Sequence, residues 1–80
     1  MDDEARTLLD DVKRRNADIR WLTANDLEAG ALVAVALTKV GEEAVDSLAK
    51  EAIASAGRGK EGKTIFKQRL QALFPEKDGA

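Results

Sequence analysis

Cysteine, histidine and tyrosine are absent from this chain of 80 residues, and proline occurs only once. Without cysteine, the fold can contain no disulfide bond and no thiolate ligand for a metal ion. Without histidine, it lacks both the commonest metal ligand and the commonest general base at neutral pH. These absences lead us to expect no metal, no cofactor and no enzymatic activity.

Aromatic residues are also scarce, because Trp21, Phe66 and Phe74 are the only ones. Leucine, valine, isoleucine and alanine must therefore supply most of the core, a composition that suits closely packed helices. A chain of 80 residues is long enough for one modest core and no more. We expect residues 1–80 to form a single helical domain, with residues 75–80 as a mobile polar tail.

Long hydrophobic runs are missing as well. The longest uncharged stretch, residues 29–38, has ten residues, whereas a membrane-spanning helix needs about 20. The opening segment MDDEARTLLDD is acidic where a secretory signal would be basic. The sequence therefore indicates a cytoplasmic protein without a membrane partner.

The spacing of hydrophobic residues predicts an all-α fold, a compact bundle of three long helices and a shorter fourth. Their expected bounds are about 3–20, 25–40, 42–56 and 64–74. The tripeptide NAD at 16–18 marks either a bend in the first helix or its end. The clearest amphipathic stripe belongs to the third helix. It consists of Val45, Leu48, Ala49, Ala52, Ile53 and Ala56.

The second predicted helix contains the most apolar part of the chain. Its run ALVAVAL, residues 31–37, is hydrophobic on every side, which for a helix means burial over most of its surface. Thr23 with Asp26, or Asn25 with Glu28, matches the capping box that opens a helix. The run is also short and rich in valine, so a buried strand paired between two chains is the alternative.

We expect residues 29–40 to be the central element of the bundle. Gly30, Ala31 and Ala34 give this helix a face of small residues, which permits close approach by a neighbouring helix. The helix has more apolar surface than three short helices easily cover. That surplus favours a homodimer or another protein partner.

Charge is segregated along the chain, although the net charge is only −2. Residues 1–12 carry five acids and one base, whereas residues 13–20 carry four bases and one acid. Residues 57–73 carry five bases and one acid. Such blocks usually form solvated faces that complement one another, and they can also dock an anionic partner.

Residues 57–64, GRGKEGKT, match the pattern G-x-x-x-x-G-K-[ST] of the phosphate-binding loop in nucleotide hydrolases. That loop requires a strand leading into it and a parallel sheet to position it. The preceding residues 42–56 have helical spacing instead, and no strand ending in aspartate follows to hold magnesium. We therefore interpret residues 57–63 as a basic, glycine-rich helix connector that binds no nucleotide. In a connector of this kind, Lys63→Ala would change stability little.

Two interpretations of function follow. We favour a small non-enzymatic binding module or regulator, of the bacterial or phage accessory type, that contacts another protein or forms a homodimer. Trp21 is the candidate partner anchor, because tryptophan often dominates binding energy at interfaces. The alternative is a nucleic-acid-associated protein that uses the basic segment 57–69. Its candidate anion or nucleic-acid patch consists of Arg58, Lys60, Lys63, Lys67 and Arg69.

Overall fold

The computed structural model describes residues 3–74, which form five α-helices joined by short turns. The helices are α1 (Asp3–Arg15), α2 (Ala17–Thr23), α3 (Leu27–Val40), α4 (Glu42–Ala56) and α5 (Lys60–Gln71). They pack into one compact bundle, so the all-α prediction is confirmed. Within residues 3–74 there are five helices rather than the three or four expected. The predicted polar tail, residues 75–80, lies outside the described residues.

The first predicted helix, 3–20, is divided into two at Asn16. The backbone of Asn16 is extended, with φ −124° and ψ 101°, and its side-chain oxygen accepts a hydrogen bond from the N–H of Ile19. Asparagine is among the preferred residues at this capping position because its side chain satisfies an otherwise unpaired N–H group. The sequence NAD therefore ends one helix and begins the next.

The central helix starts later than predicted, at Leu27 rather than residue 25. Its cap is Asp26, whose carboxylate accepts a hydrogen bond of 3.1 Å from the N–H of Ala29. Neither expected capping box forms, because Thr23 ends α2 and Asn25 adopts a left-handed conformation with φ 57°. The alternative of a strand is also wrong, since α3 is helical from end to end.

Helix α4 spans Glu42–Ala56, as predicted. Gly41 precedes it with φ +90° and Gly57 follows it with φ +80°, a region of backbone space that favours glycine over other residues. Three members of its predicted stripe are fully buried, and the other three are half-buried. The buried members are Val45, Ala49 and Ala52.

The predicted connector at 57–63 is wrong in its length, because α5 begins at Lys60 instead of Thr64. Only residues 57–59 link the last two helices. The helix also ends earlier than expected, at Gln71, although Leu73 and Phe74 still pack against the core. Lys63 therefore lies within a helix and not in a loop.

Helix α3, the expected central element, contacts each of the other four helices, as the shorter α2 also does. The core around it is built mainly from alanine, leucine and valine, with Phe66 as its largest fully buried side chain. The small-residue face of α3 serves partly as predicted. Gly30 lies against Leu9 of α1 and Ala34 is buried, but Ala31 faces solvent.

Candidate functional surfaces

The glycines of GRGKEGKT form a tight corner between α4 and α5. Gly57 ends α4 in a left-handed conformation, and Gly62 lies in the first turn of α5, buried against the backbone of Gly57. A Cβ atom at position 62 would overlap the carbonyl oxygen of Gly57. The spacing of these two glycines thus has a packing explanation that involves no ligand.

The lysine of the motif, Lys63, contacts the protein's own backbone instead of pointing into a phosphate-binding loop. Lys63 Nζ donates a hydrogen bond of 2.8 Å to the carbonyl oxygen of Ala24, in the turn between α2 and α3. Helix α4 leads into the motif, and residues 3–74 contain no strand. The strand–loop–helix geometry that cradles phosphates is therefore not formed within the described chain.

Trp21 joins α2 to the corner between α4 and α5. Its indole N–H donates a hydrogen bond to the carbonyl oxygen of Arg58. The ammonium group of Lys63 lies 5.7 Å from the centre of the indole ring, which is a cation–π contact. Trp21 nevertheless stays 46% exposed, so part of the ring remains open to a partner.

Three residues of the candidate anion patch form ion pairs with acids of other helices. Arg58 lies 2.8 Å from Asp18 of α2. Arg69 lies 2.6 Å from Glu51 of α4. In each case the base and the acid are far apart in sequence, so the pairing could not be predicted from helical spacing.

Lys67, the third of these bases, binds the start of α3. Its ammonium group lies 3.1 Å from Asp26 and 3.4 Å from Glu28. The pKa of Asp26 is lowered by the hydrogen bond from Ala29 N–H and further by Lys67. The pKa of Lys67 is raised, chiefly by its hydrogen bond to Asp26. This pair fastens α5 to the cap of α3.

The five bases do not all share one face. Arg58, Lys63 and Lys67 contact groups of α2, α3 and the turn between them, whereas Arg69 contacts α4. Lys60, at the start of α5, is exposed and forms no ion pair within residues 3–74. The structure therefore brings together three of the five predicted residues, and it places them in contact with the protein's own acids and carbonyl groups.

An exposed apolar stripe lies on the outer side of α3, the helix on which the sequence predicted surplus apolar surface without showing which residues would carry it. The α3 stripe consists of Leu27, Ala31 and Val35, which follow one another at intervals of four residues. Leu27 is 94% exposed and Val35 is 40% exposed. The uncharged run 29–38 was interpreted as burial over most of the helix surface with some apolar surface left for a partner, but it did not show which side would stay exposed.

A groove of about 530 Å³ opens beside the first turn of α3. Its walls come from α1, from the turn before α3 and from the first residues of α3, including Leu9, Lys13, Asn25, Leu27 and Gly30. Gly30 lines this space and carries no side chain into it. The groove is continuous with the α3 stripe, because Leu27 and Ala31 border both.

Comparisons of the chain with protein-family models, with curated proteins and with solved structures find no match. Within residues 3–74, no three carboxylates gather in an arrangement suited to a metal ion. None of the described helices is both long enough and apolar enough to cross a bilayer. The α3 stripe and the half-exposed Trp21 are thus the surface features that most call for a functional explanation.

Proposed function

We propose that this protein is a small helical binding module or regulator, without enzymatic activity, that acts through protein–protein contacts. The α3 stripe carries the proposal. Leucine, alanine and valine at positions 27, 31 and 35 leave a continuous apolar line facing water. Burying one large aliphatic side chain is worth about 1.5–3 kcal/mol, so covering this line would supply binding energy.

Trp21 supports the same proposal as a second contact point. The hydrogen bond to Arg58 and the contact with Lys63 hold its ring in one orientation. A side chain that is already fixed loses little conformational entropy when a partner covers it. The proposal includes a cytoplasmic location, which suits a chain without cysteine because it needs no oxidising compartment.

Affinity capture from the native host tests this function. The bait is the wild-type chain, compared with Val35→Glu in the α3 stripe and with Leu8→Glu on α1. Leu8 is a matched control because its exposure, 36%, is close to the 40% of Val35. We expect the wild type and Leu8→Glu to retain the same protein and Val35→Glu to lose it. Equal recovery by all three would contradict a role for the stripe.

The alternative function in nucleic-acid binding has weaker support. Arg58, Lys67 and Arg69 are ion-paired, and Lys63 donates to a backbone carbonyl. Phosphate binding would have to replace those contacts, which reduces the gain from each base. Gel-shift measurements with duplex and single-stranded oligonucleotides at two salt concentrations provide the test. A salt-sensitive complex that Lys60→Ala weakens would favour this alternative.

A further inference from the structure

The outer face of α3 is complementary to itself, and we propose that it pairs with the same face of a second copy of this chain, with the two helices antiparallel. This inference rests on the proposed function, since it names the partner of the α3 stripe. Three features of the stripe support it: the sizes of its residues, the hydrogen bond that its polar residue already makes, and the charged residues beside it.

The sizes of the residues suit a two-fold axis. Leu27, Ala31 and Val35 lie on one side of α3 because residues four apart are neighbours on a helix. An axis midway between Ala31 and Val35 places each Ala31 opposite the Val35 of the other copy. A small residue facing a larger one lets two helices approach closely without overlap. The same register covers Leu27 with the end of the other α3, near Thr38.

The polar content of the stripe permits burial. Thr38 is the only polar residue between positions 29 and 38. Its hydroxyl already donates a hydrogen bond of 2.7 Å to the carbonyl oxygen of Val35. A partner that covers the stripe therefore leaves no hydrogen-bond donor unpaired and buries no charge. The contact avoids the desolvation cost of an unpaired polar group and that of a buried ion.

The flanking charges select the antiparallel orientation. Glu28 and Lys39 lie at opposite ends of α3 but within about 20° of each other around its axis. In an antiparallel pair related by a two-fold axis, each flank of one helix faces the same flank of the other. The register given above therefore brings each Glu28 beside the Lys39 of the other copy. In a parallel pair the two charged flanks would lie on opposite sides of the interface, so neither Glu28 would meet a Lys39 of the other copy.

Both charged groups are accessible for this contact. The Glu28 side chain is 62% exposed, and its 3.4 Å contact with Lys67 is made through Oε1. Lys39 lies on the surface, with its ammonium group 5.5 Å from the centre of the Phe74 ring. The pairing uses one surface twice and closes on itself, so it yields a dimer rather than a filament.

Sedimentation velocity over a range from low micromolar to near-millimolar protein tests the proposal. We expect the wild-type chain to shift from monomer toward dimer with rising concentration. Ala31→Glu puts a charge next to the axis in both copies and should raise the dissociation constant about tenfold or more. Leu8→Glu, which adds the same charge to α1, should leave the dissociation constant unchanged. Circular dichroism of each variant checks that the monomer is folded.

Charge exchange tests the orientation. Glu28→Lys and Lys39→Glu should each weaken the dimer, and the double variant should restore it. A wild-type chain that stays monomeric throughout would overturn the proposal, and so would equal losses from Ala31→Glu and Leu8→Glu. A double variant weaker than both single variants would overturn the antiparallel arrangement. A monomer whose stripe still captures another protein would overturn self-pairing while leaving the proposed function intact.

Discussion

Gly62 on α5 packs directly against the carbonyl group of Gly57, the residue that ends α4. The contact is so close that any side chain at position 62 would overlap that oxygen. These are the two glycines that make the segment resemble a phosphate-binding loop. In this fold they allow two helices to meet at a sharp corner.

The first prediction concerns this corner. Gly62→Ala should destabilise the protein by about 1–3 kcal/mol, because the corner must open to admit the methyl group. Gly30→Ala is the matched control, since Gly30 is also helical and its new Cβ would lie 3.7 Å from Leu9, an ordinary contact distance. Alanine should stabilise that site by up to about 1 kcal/mol. Urea unfolding followed by circular dichroism measures both, and equal stabilities would contradict the prediction.

The second prediction concerns Lys63. It replaces the expectation that Lys63→Ala would change stability little, which assumed that this lysine lies in a loop. Lys63 donates a hydrogen bond to the carbonyl oxygen of Ala24 and makes a cation–π contact with Trp21. Because both contacts are lost, Lys63→Ala should lower the unfolding free energy by about 1 kcal/mol. Lys60→Ala provides the control, since Lys60 is exposed on the same helix and should change stability by less than about 0.5 kcal/mol. Thermal unfolding compares the two. The fluorescence of the single tryptophan should change only in the Lys63 variant. Identical melting curves would contradict the prediction.

These two lysines lie in a helix whose start the sequence did not predict, whereas the preceding helix was predicted correctly. Helix α4 was predicted with its true bounds because its signals are local: a regular apolar stripe and a glycine at each end. The start of α5 was missed because it depends on the contact between Gly57 and Gly62, which hydrophobic spacing does not reveal.

The candidate surfaces were harder to predict than the helices. The five bases were correctly found to be clustered in sequence, but the acids that pair with three of them come from distant parts of the chain. Asp18 and Asp26, for example, are 40 and 41 residues away from Arg58 and Lys67. Surplus apolar surface was expected on α3, but the residues of the α3 stripe were not identified. A fully apolar helix gives no amphipathic signal, so its exposed side cannot be told from its buried side.

The third prediction concerns acid pH. The pKa of Asp26 is lower in the folded chain than its ordinary value of 3.8, because Ala29 N–H and Lys67 stabilise the carboxylate. The unfolded state therefore binds more protons in acid. The stabilisation is complete above the ordinary pKa and is lost as the pH falls through the folded pKa.

Asp26→Asn isolates this effect, because asparagine can still cap α3 but carries no charge. We expect the wild type to be more stable than the variant at neutral pH, and the difference to shrink as the pH falls below the ordinary pKa of 3.8. Urea unfolding across that pH range provides the measurement. A difference that stays constant at every pH would show that the charge of Asp26 does not contribute.

The fourth prediction concerns nucleotides, because GRGKEGKT still matches a nucleotide-binding pattern. Isothermal titration with Mg-ATP should give no saturable heat. The ammonium group of Lys63 already contacts the carbonyl oxygen of Ala24 and the ring of Trp21. Helix α4 also precedes the motif, where a phosphate-binding loop requires a strand. Lys63→Ala should behave like the wild type in this titration while differing from it in stability. Saturable micromolar binding that Lys63→Ala abolishes would contradict this interpretation, because the lysine would have to leave the contacts that hold α5 against the turn before α3.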